Sequence, residues 1–248
     1  MLKDNETAAL QFSGGKDSTA LLYMARPFLD RITVFFCDPG ATLPHVREFV
    51  ENTCNKLGAN LEVVRPKFNV ADFIENVGLP ADMVPIENTL QFEQFLPKKK
   101  ERIQSAFQCC TFNYFLPLQE AIRESGLKVV LRGSKKTDER VGVPNGHVEN
   151  GIEYRSPLWD WTHGRVLAYL RDEGIELPMH YRTVLDSMDC WLCTGYLGPQ
   201  YRGKERLEFI REHYPDLWPH LVARLRRVRA ALTEEFLDMR PALNLGDN

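Results

Sequence analysis

The sequence predicts an α/β fold: a doubly wound parallel sheet followed by a helical C-terminal segment. Three observations predict it. Short apolar or β-branched runs recur at residues 7–12, 31–37, 61–65 and 127–132. Stretches of helical length and period separate the runs, the alternation that builds parallel strands with crossover helices. From Gly203 to near Met239 the pattern is helical almost throughout.

Each element has its own signal. Residues 7–12 (TAALQF) read as a buried strand that runs into Ser13-Gly14-Gly15. Residues 18–28 have helical spacing, with Leu21, Leu22 and Met24 as core candidates. Residues 31–37 (RITVFFC) form a second strand, stopped by the turn signal Asp38-Pro39-Gly40. A helix over 43–57 closes at Gly58, and 61–65 is a third strand. Residues 76–100 carry Pro80, Pro85 and Pro97, end in Lys98-Lys99-Lys100, and read as a long loop or lid over the site. A helix over 112–125 is bent or interrupted by Pro117. The strand 127–132 is followed by Gly133, and a helix over 162–173 ends at Gly174. Residues 1–200 are expected to form the ligand-binding domain, with 201–248 as a helical extension.

Composition narrows the function. The 248 residues are 44% hydrophobic and 26% charged, ordinary values for a protein with a packed core. The net charge of −3 provides no global positive field toward nucleic acid or an anionic membrane. Any such contact must be local. Arg224, Arg226, Arg227 and Arg229 on the C-terminal helix, and Lys98–Lys100, are the candidates, against a solvated basic face as the plainer reading. The N-terminus MLKDNETAAL has no long apolar region, and no run of about 18 apolar residues occurs. A cytoplasmic location without membrane association follows as the expectation. Thiols stay reduced there, so six cysteines suggest metal binding or catalysis more than disulfides.

Ser13-Gly14-Gly15-Lys16-Asp17-Ser18 lies between a buried strand and a helix start. Two glycines let the backbone turn sharply and approach a ligand, and the helix N-terminus offers free N–H groups and a positive dipole end. Ser13 and Ser18 add hydroxyls and Lys16 adds a charge, a set that suits a pyrophosphate. Spacing excludes a Walker A loop. A plain strand–turn–helix with Asp17 as cap is the alternative.

This string resembles the PP-loop of the ATP pyrophosphatases. The resemblance implies a Rossmann-like PP-loop fold and binding of ATP with Mg2+, with Lys16, Asp17 and Ser18 at the reacting phosphates. It also implies release of pyrophosphate as an acceptor oxygen is adenylated. Downstream, Phe36-Cys37-Asp38-Pro39-Gly40, Leu131-Arg132-Gly133-Ser134 with Arg140, and the segment from Arg155 to Thr162 resemble successive segments of the phosphoadenosine phosphosulfate (PAPS) reductase family. By that match Asp38 holds the adenosine, and Arg132, Gly133 and Arg140 face the phosphates. Arg155 is open between ligand and surface roles.

Cys109-Cys110 and Cys190-Trp191-Leu192-Cys193 are two cysteine pairs whose four thiolates suit a tetrahedral or cubane metal site. Adjacent cysteines are unusual for zinc. The arrangement resembles the [4Fe-4S] site of adenylylsulfate (APS) reductases and of enzymes that install sulfur in DNA backbones. Zn2+ is the alternative. Cys37 and Cys54 read as core residues.

Two departures separate the chain from the reductases. Those enzymes carry a nucleophilic cysteine in a C-terminal tail, and no cysteine follows Cys193 here. Their loop usually reads Ser-Phe-Gly. The combination resembles ATP-dependent sulfur transfer to a nucleic-acid acceptor from a persulfide-bearing donor. A sulfonucleotide reductase using external thioredoxin and a non-catalytic nucleotide-gated module are the rival readings. A second copy of the chain is a candidate partner.

Overall fold

A computed structural model describes residues 1–138 and 144–243. The chain divides into two compact units: residues 1–66 with 114–189, and residues 67–113 with 190–248. The chain leaves the first unit after residue 66 and returns to it at 114.

The first unit is a six-stranded sheet with helices on both faces. Its strands are β1 (Ala8–Gln11), β2 (Ile32–Cys37), β3 (Asn60–Val64), β6 (Val129–Leu131), β7 (His147–Glu149) and β8 (Ile152–Arg155), in the order β3-β2-β1-β6-β8-β7. All pairs are parallel except the β7–β8 hairpin at the edge. Helices α1 (Lys16–Met24), α2 (Pro44–Leu57) and α6 (His163–Asp172) bury Leu21, Val50 and Val166 on one face with Leu10, Val34 and Leu131. Helix α5 (Leu116–Glu124) packs Ile122 on the other face against Ala9, Phe35 and Val130. Successive strand residues point to opposite faces, which is why these strands read as continuous apolar runs. The doubly wound parallel sheet is therefore the observed architecture. Cys54 lies in the first core cluster and Cys37 in the second, with burial pushing the Cys37 thiol up to about 12, in keeping with packing roles.

Strand order reverses at β1. From there the chain runs through β2 and β3 to one side, while β6 lies on the other. Ligands of open α/β sheets bind at such a point, outside the C-terminal strand ends. The turns after β1 and β6 meet there.

The second unit is built on a two-stranded parallel sheet, β4 (Leu79–Ala81) with β5 (Ile103–Ser105). Around it lie α3 (Val70–Val77), α4 (Ala106–Cys110), α7 (Gly203–His213) and α8 (Trp218–Leu243). Residues 76–100 thus contain a strand and two 3-10 turns, Ile86–Asn88 and Glu93–Phe95, rather than a structureless loop. Pro80 is compatible with β4, a strand with a single partner in its sheet. The interruption expected at Pro117 is present one turn earlier. A π turn, Thr111–Phe115, follows α4, and Pro117 stands in the first turn of α5, where its missing N–H has no helical partner to lose. Among the described residues no helix is long and apolar enough to cross a membrane.

Candidate functional site

The phosphate loop has the expected backbone. Gly14 has φ +78°, and a Cβ there would stand 3.0 Å from Val50 Cγ2, so glycine serves both conformation and space. Gly15 is extended and caps α1. The serines stitch the loop. The Ser18 hydroxyl donates to the Gly15 carbonyl at 3.0 Å and lies 3.3 Å from the Ser13 amide, and the Gly15 amide donates to Ser13 Oγ at 3.3 Å. The Lys16 amide donates to the hydroxyl of Tyr181 at 3.0 Å. Tyr181 is buried, and burial raises its phenol. A hydroxyl oxygen thus sits at the N-terminus of α1, the position a phosphate oxygen favours.

The charges form one network. Lys16 Nζ is 3.1 Å from Asp17 Oδ2. The same oxygen is 2.9 Å from Lys135 Nζ, which also lies 2.8 Å from Asp138 Oδ1. Lys135 is fully buried; burial alone would depress its pKa, but Asp138 and Asp17 outweigh it and raise the value. Asp17 Oδ1 is buried with no hydrogen-bond partner among the described residues.

Sequence reasoning missed Lys135, Asp138 and Tyr181. The available signal was Ser134-Lys135-Lys136-Thr137-Asp138, a charged turn directly after β6. Gly133 makes the meeting of turns possible: a Cβ there would lie 2.9 Å from the Asp17 carbonyl carbon and the Ser18 nitrogen. Its place is against the backbone of α1.

The other expected residues among those described have partners within the first unit. The Asp38 carboxylate accepts from the Gly40 amide at 2.9 Å and the Thr42 hydroxyl at 3.0 Å, and meets Arg47 Nη1 at 3.2 Å. It ties the turn to α2. Arg132 lies over the Tyr154 ring at 5.6 Å and donates to Ser134 Oγ at 3.2 Å; burial lowers its pKa. Arg155 pairs with Glu6 and Glu153, both at 2.7 Å, and so clamps the N-terminal segment. Arg140 lies outside the described residues. His45 and His180 meet at 2.7 Å, and burial, then His45, lowers His180 to about 3.

All four paired cysteines fall in the second unit, outside any disulfide. Cys109 and Cys110 end α4, whose N-cap Ser105 accepts from the Gln108 amide. Residues 190–197 form a hook pinned to β4. Thr194 donates to the Pro80 carbonyl, and Asp82 accepts from the Tyr196 and Leu197 amides. Polar groups point at sulfur: Asn113 Nδ2 lies 3.8 Å from Cys109 Sγ, and the Tyr196 hydroxyl 3.9 Å from Cys110 Sγ. Burial, then Cys193 and Cys109, raises Cys190; burial, then Cys110 and Cys193, raises Cys109. The four thiols therefore share one electrostatic environment. Among the described residues no three His, Cys, Asp or Glu side chains are spaced as a metal-holding group.

The basic faces are partly neutralised within the second unit. Arg227 pairs with Glu101 at 2.7 Å and with Glu75 at 2.9 Å, and Arg224 with Glu75 at 3.3 Å. Lys98 lies 3.9 Å from Glu234, and Lys99 3.5 Å from Glu93. Arg226 and Arg229 are exposed.

Residues 7–196 match the phosphoadenosine phosphosulfate reductase domain family. A Methanocaldococcus jannaschii protein of unassigned function is 24% identical over 222 residues, covering 87% of this chain and 47% of its own. The phosphoadenosine 5'-phosphosulfate reductase of Vibrio cholerae is 22% identical over 174 residues, covering 69% of this chain and 61% of its own. The chain thus spans between about half and three fifths of the length of these relatives. Among solved structures, the PAPS reductase of Candida auris in its phosphate complex shares the fold, with a TM-score of 0.53 and 17% identity over 76% of this chain and 83% of that one.

Proposed function

This chain belongs to the phosphoadenosine phosphosulfate reductase domain family, and from that premise we propose that it is an enzyme that activates an acceptor with ATP for sulfur transfer. One observation carries the reading. A buried carboxylate oxygen, Asp17 Oδ1, has no hydrogen-bond partner among the described residues and stands beside two lysines and a glycine turn. An unpaired hard oxygen among cations suits a divalent ion that arrives with a polyphosphate. Asp17 would hold Mg2+ with the nucleotide. The ion supplies neutralisation of charge on the leaving pyrophosphate.

The chain's own residues do the rest. The amides of Gly15 and Lys16 bind phosphate oxygens in place of the Ser13 and Tyr181 hydroxyls. Lys16 follows the charge that develops on the leaving group. Lys135, locked by Asp138, orients Asp17. The acceptor oxygen attacks the α-phosphorus, and pyrophosphate leaves. The terminal sulfur of a persulfide then displaces AMP, and a second thiol reduces the resulting disulfide to free the product. A nucleic acid is the proposed acceptor, with Arg226 and Arg229 as its contacts.

Cys109, Cys110, Cys190 and Cys193 would hold a [4Fe-4S] cluster. The donor set fits in kind: four cysteines in one unit and in no disulfide, with N–H and O–H groups directed at sulfur. Such a cluster supplies a fixed negative charge and one-electron chemistry.

The test is pyrophosphate release from ATP with the anaerobically reconstituted protein. Lys16→Ala should lower the rate by about 100-fold or more, and Asp17→Asn should remove the dependence of ATP binding on Mg2+. ATP binding indifferent to Mg2+ in the native chain would sink the reading. The reductase named among the relatives gives the second reading, and sulfite release from PAPS with added thioredoxin would support it instead.

A further inference from the structure

Residues 179–189 belong to the first unit and run against the phosphate loop as a strap. The loop meets the strap at two points. A Cβ at Gly15 would lie 3.4 Å from the Tyr181 hydroxyl and 3.8 Å from Ser187 Cβ. Between those points Leu185 has φ +60°, a left-handed backbone that a bulky side chain adopts only at a cost. The Leu185 side chain is also 57% exposed. A second arrangement of the segment relieves both costs.

The strap is fastened to α2 as well. His180 Nδ1 lies 2.7 Å from His45 Nε2, with one N–H between the two ring nitrogens. His45 stands in the first turn of α2. Its neighbour Val46 packs beside Gly14, where a Cβ would lie 3.4 Å from Val46 Cγ1. Tyr181, the neighbour of His180, accepts the Lys16 amide at 3.0 Å. Each histidine is thus one position from a side chain that touches the phosphate loop. The Tyr181 hydroxyl occupies the amide at the start of α1, where a phosphate oxygen binds. A charged acceptor holds such an amide about twice as strongly as a neutral one. Val184 is fully buried, so the strap stays closed until a ligand offsets the exposure of that side chain.

We propose that residues 179–189 are an autoinhibitory strap that lifts when a nucleotide phosphate takes the Lys16 amide, with the His45–His180 pair as its latch. The inference deepens the nucleotide reading above and rests on it. A purely structural strap would stay in place when nucleotide binds, and loss of its contacts would lower stability without raising affinity.

In the full chain, limited trypsin digestion read by mass spectrometry follows the strap at Arg182, which is exposed. Arg171, at the end of α6 in the same unit, is the control. Mg-ATP should speed cleavage after Arg182 several-fold and not after Arg171. Calorimetry reads Mg-ATP affinity in the native chain and in the Tyr181→Phe, His45→Ala and His45→Gln variants. Tyr181→Phe should bind about 5-fold tighter or more, since no hydroxyl competes for the amide. His45→Ala should bind more tightly and be cut faster at Arg182 without nucleotide. His45→Gln, whose amide can donate to the same ring nitrogen, should return both readings toward the native values. Equal or weaker binding by Tyr181→Phe would overturn the strap while the nucleotide reading stands. So would Arg182 cleavage that Mg-ATP leaves unchanged, slows, or speeds only together with Arg171. A His45→Ala chain indistinguishable from the native one would overturn the latch. A native chain that binds no Mg-ATP would overturn the nucleotide reading and this inference together.

Discussion

Gly133 shows how one methyl group can decide a site. Its hydrogen faces the backbone of Asp17 and Ser18 at distances a Cβ cannot occupy. Gly133→Ala should therefore destabilise the chain by about 1–3 kcal/mol, read by chemical denaturation, and weaken nucleotide binding with it. Tyr181 acts through a hydrogen bond. Tyr181→Phe leaves the buried Lys16 amide without an acceptor, a loss of about 1–3 kcal/mol. Saturating Mg-ATP should narrow that difference, because a phosphate oxygen replaces the lost hydroxyl. A deficit unchanged by nucleotide in thermal melts would mean that no anion reaches the amide. Lys135 could not be singled out from sequence: Lys136, next to it, is exposed and pairs with Asp160. Only the turn after β6 decides which of the two lysines points inward.

At the scale of elements, strand β8 carries its own clamp. Arg155 beside Glu6 holds that carboxyl at about 2, against its usual 4.5, first through the hydrogen bond from Arg155. A depressed carboxyl contributes stability that is complete above its unfolded value and lost as pH falls through its folded one. The clamp should therefore hold above about pH 4.5 and fade toward pH 2. Arg155→Ala should flatten the stability curve over that window. Glu6 is partly exposed and so partly screened, which makes the pH profile the informative readout. Helix α8 divides in the same way. Arg224 and Arg227 belong to the Glu75–Glu101 network, so Arg227→Ala should cost about 0.5–1 kcal/mol. Arg226→Ala and Arg229→Ala should leave stability unchanged and, if a nucleic acid binds there, reduce the salt dependence of binding. The hook 190–197 was legible as a Cys-x-x-Cys motif. Its anchors, Asp82 and Thr194 with Pro80, were not, since each lies on or meets a segment more than a hundred positions away.

The whole molecule ties these sites to chain order. A chain that leaves the first unit after residue 66 and returns at 114 places both cysteine pairs in one unit and the phosphate loop in the other. Ligand binding to the loop should appear as global stabilisation of the unit that carries it. Mg-ATP at 100 times its dissociation constant should add about 2.7 kcal/mol, and Asp17→Asn should remove most of that gain. Calorimetry with and without Mg2+ measures both. An equal gain in Asp17→Asn would place the divalent ion elsewhere.

The sequence by itself determined β1, β2, β3 and β6, the ends of α2 and α6, the glycine turn after β1 and the pairing of cysteines into two motifs, but not the short strands β4, β5, β7 and β8. Those features depend on neighbours within a few positions: period, turn chemistry, and the absence of a Cβ. Only the tertiary structure decided that β6 lies beside β1, that Lys135 rather than Arg132 meets Asp17, and that Asp38 serves its own turn. Strand order and side-chain facing are set by burial of the whole sheet, a long-range balance that no local pattern encodes.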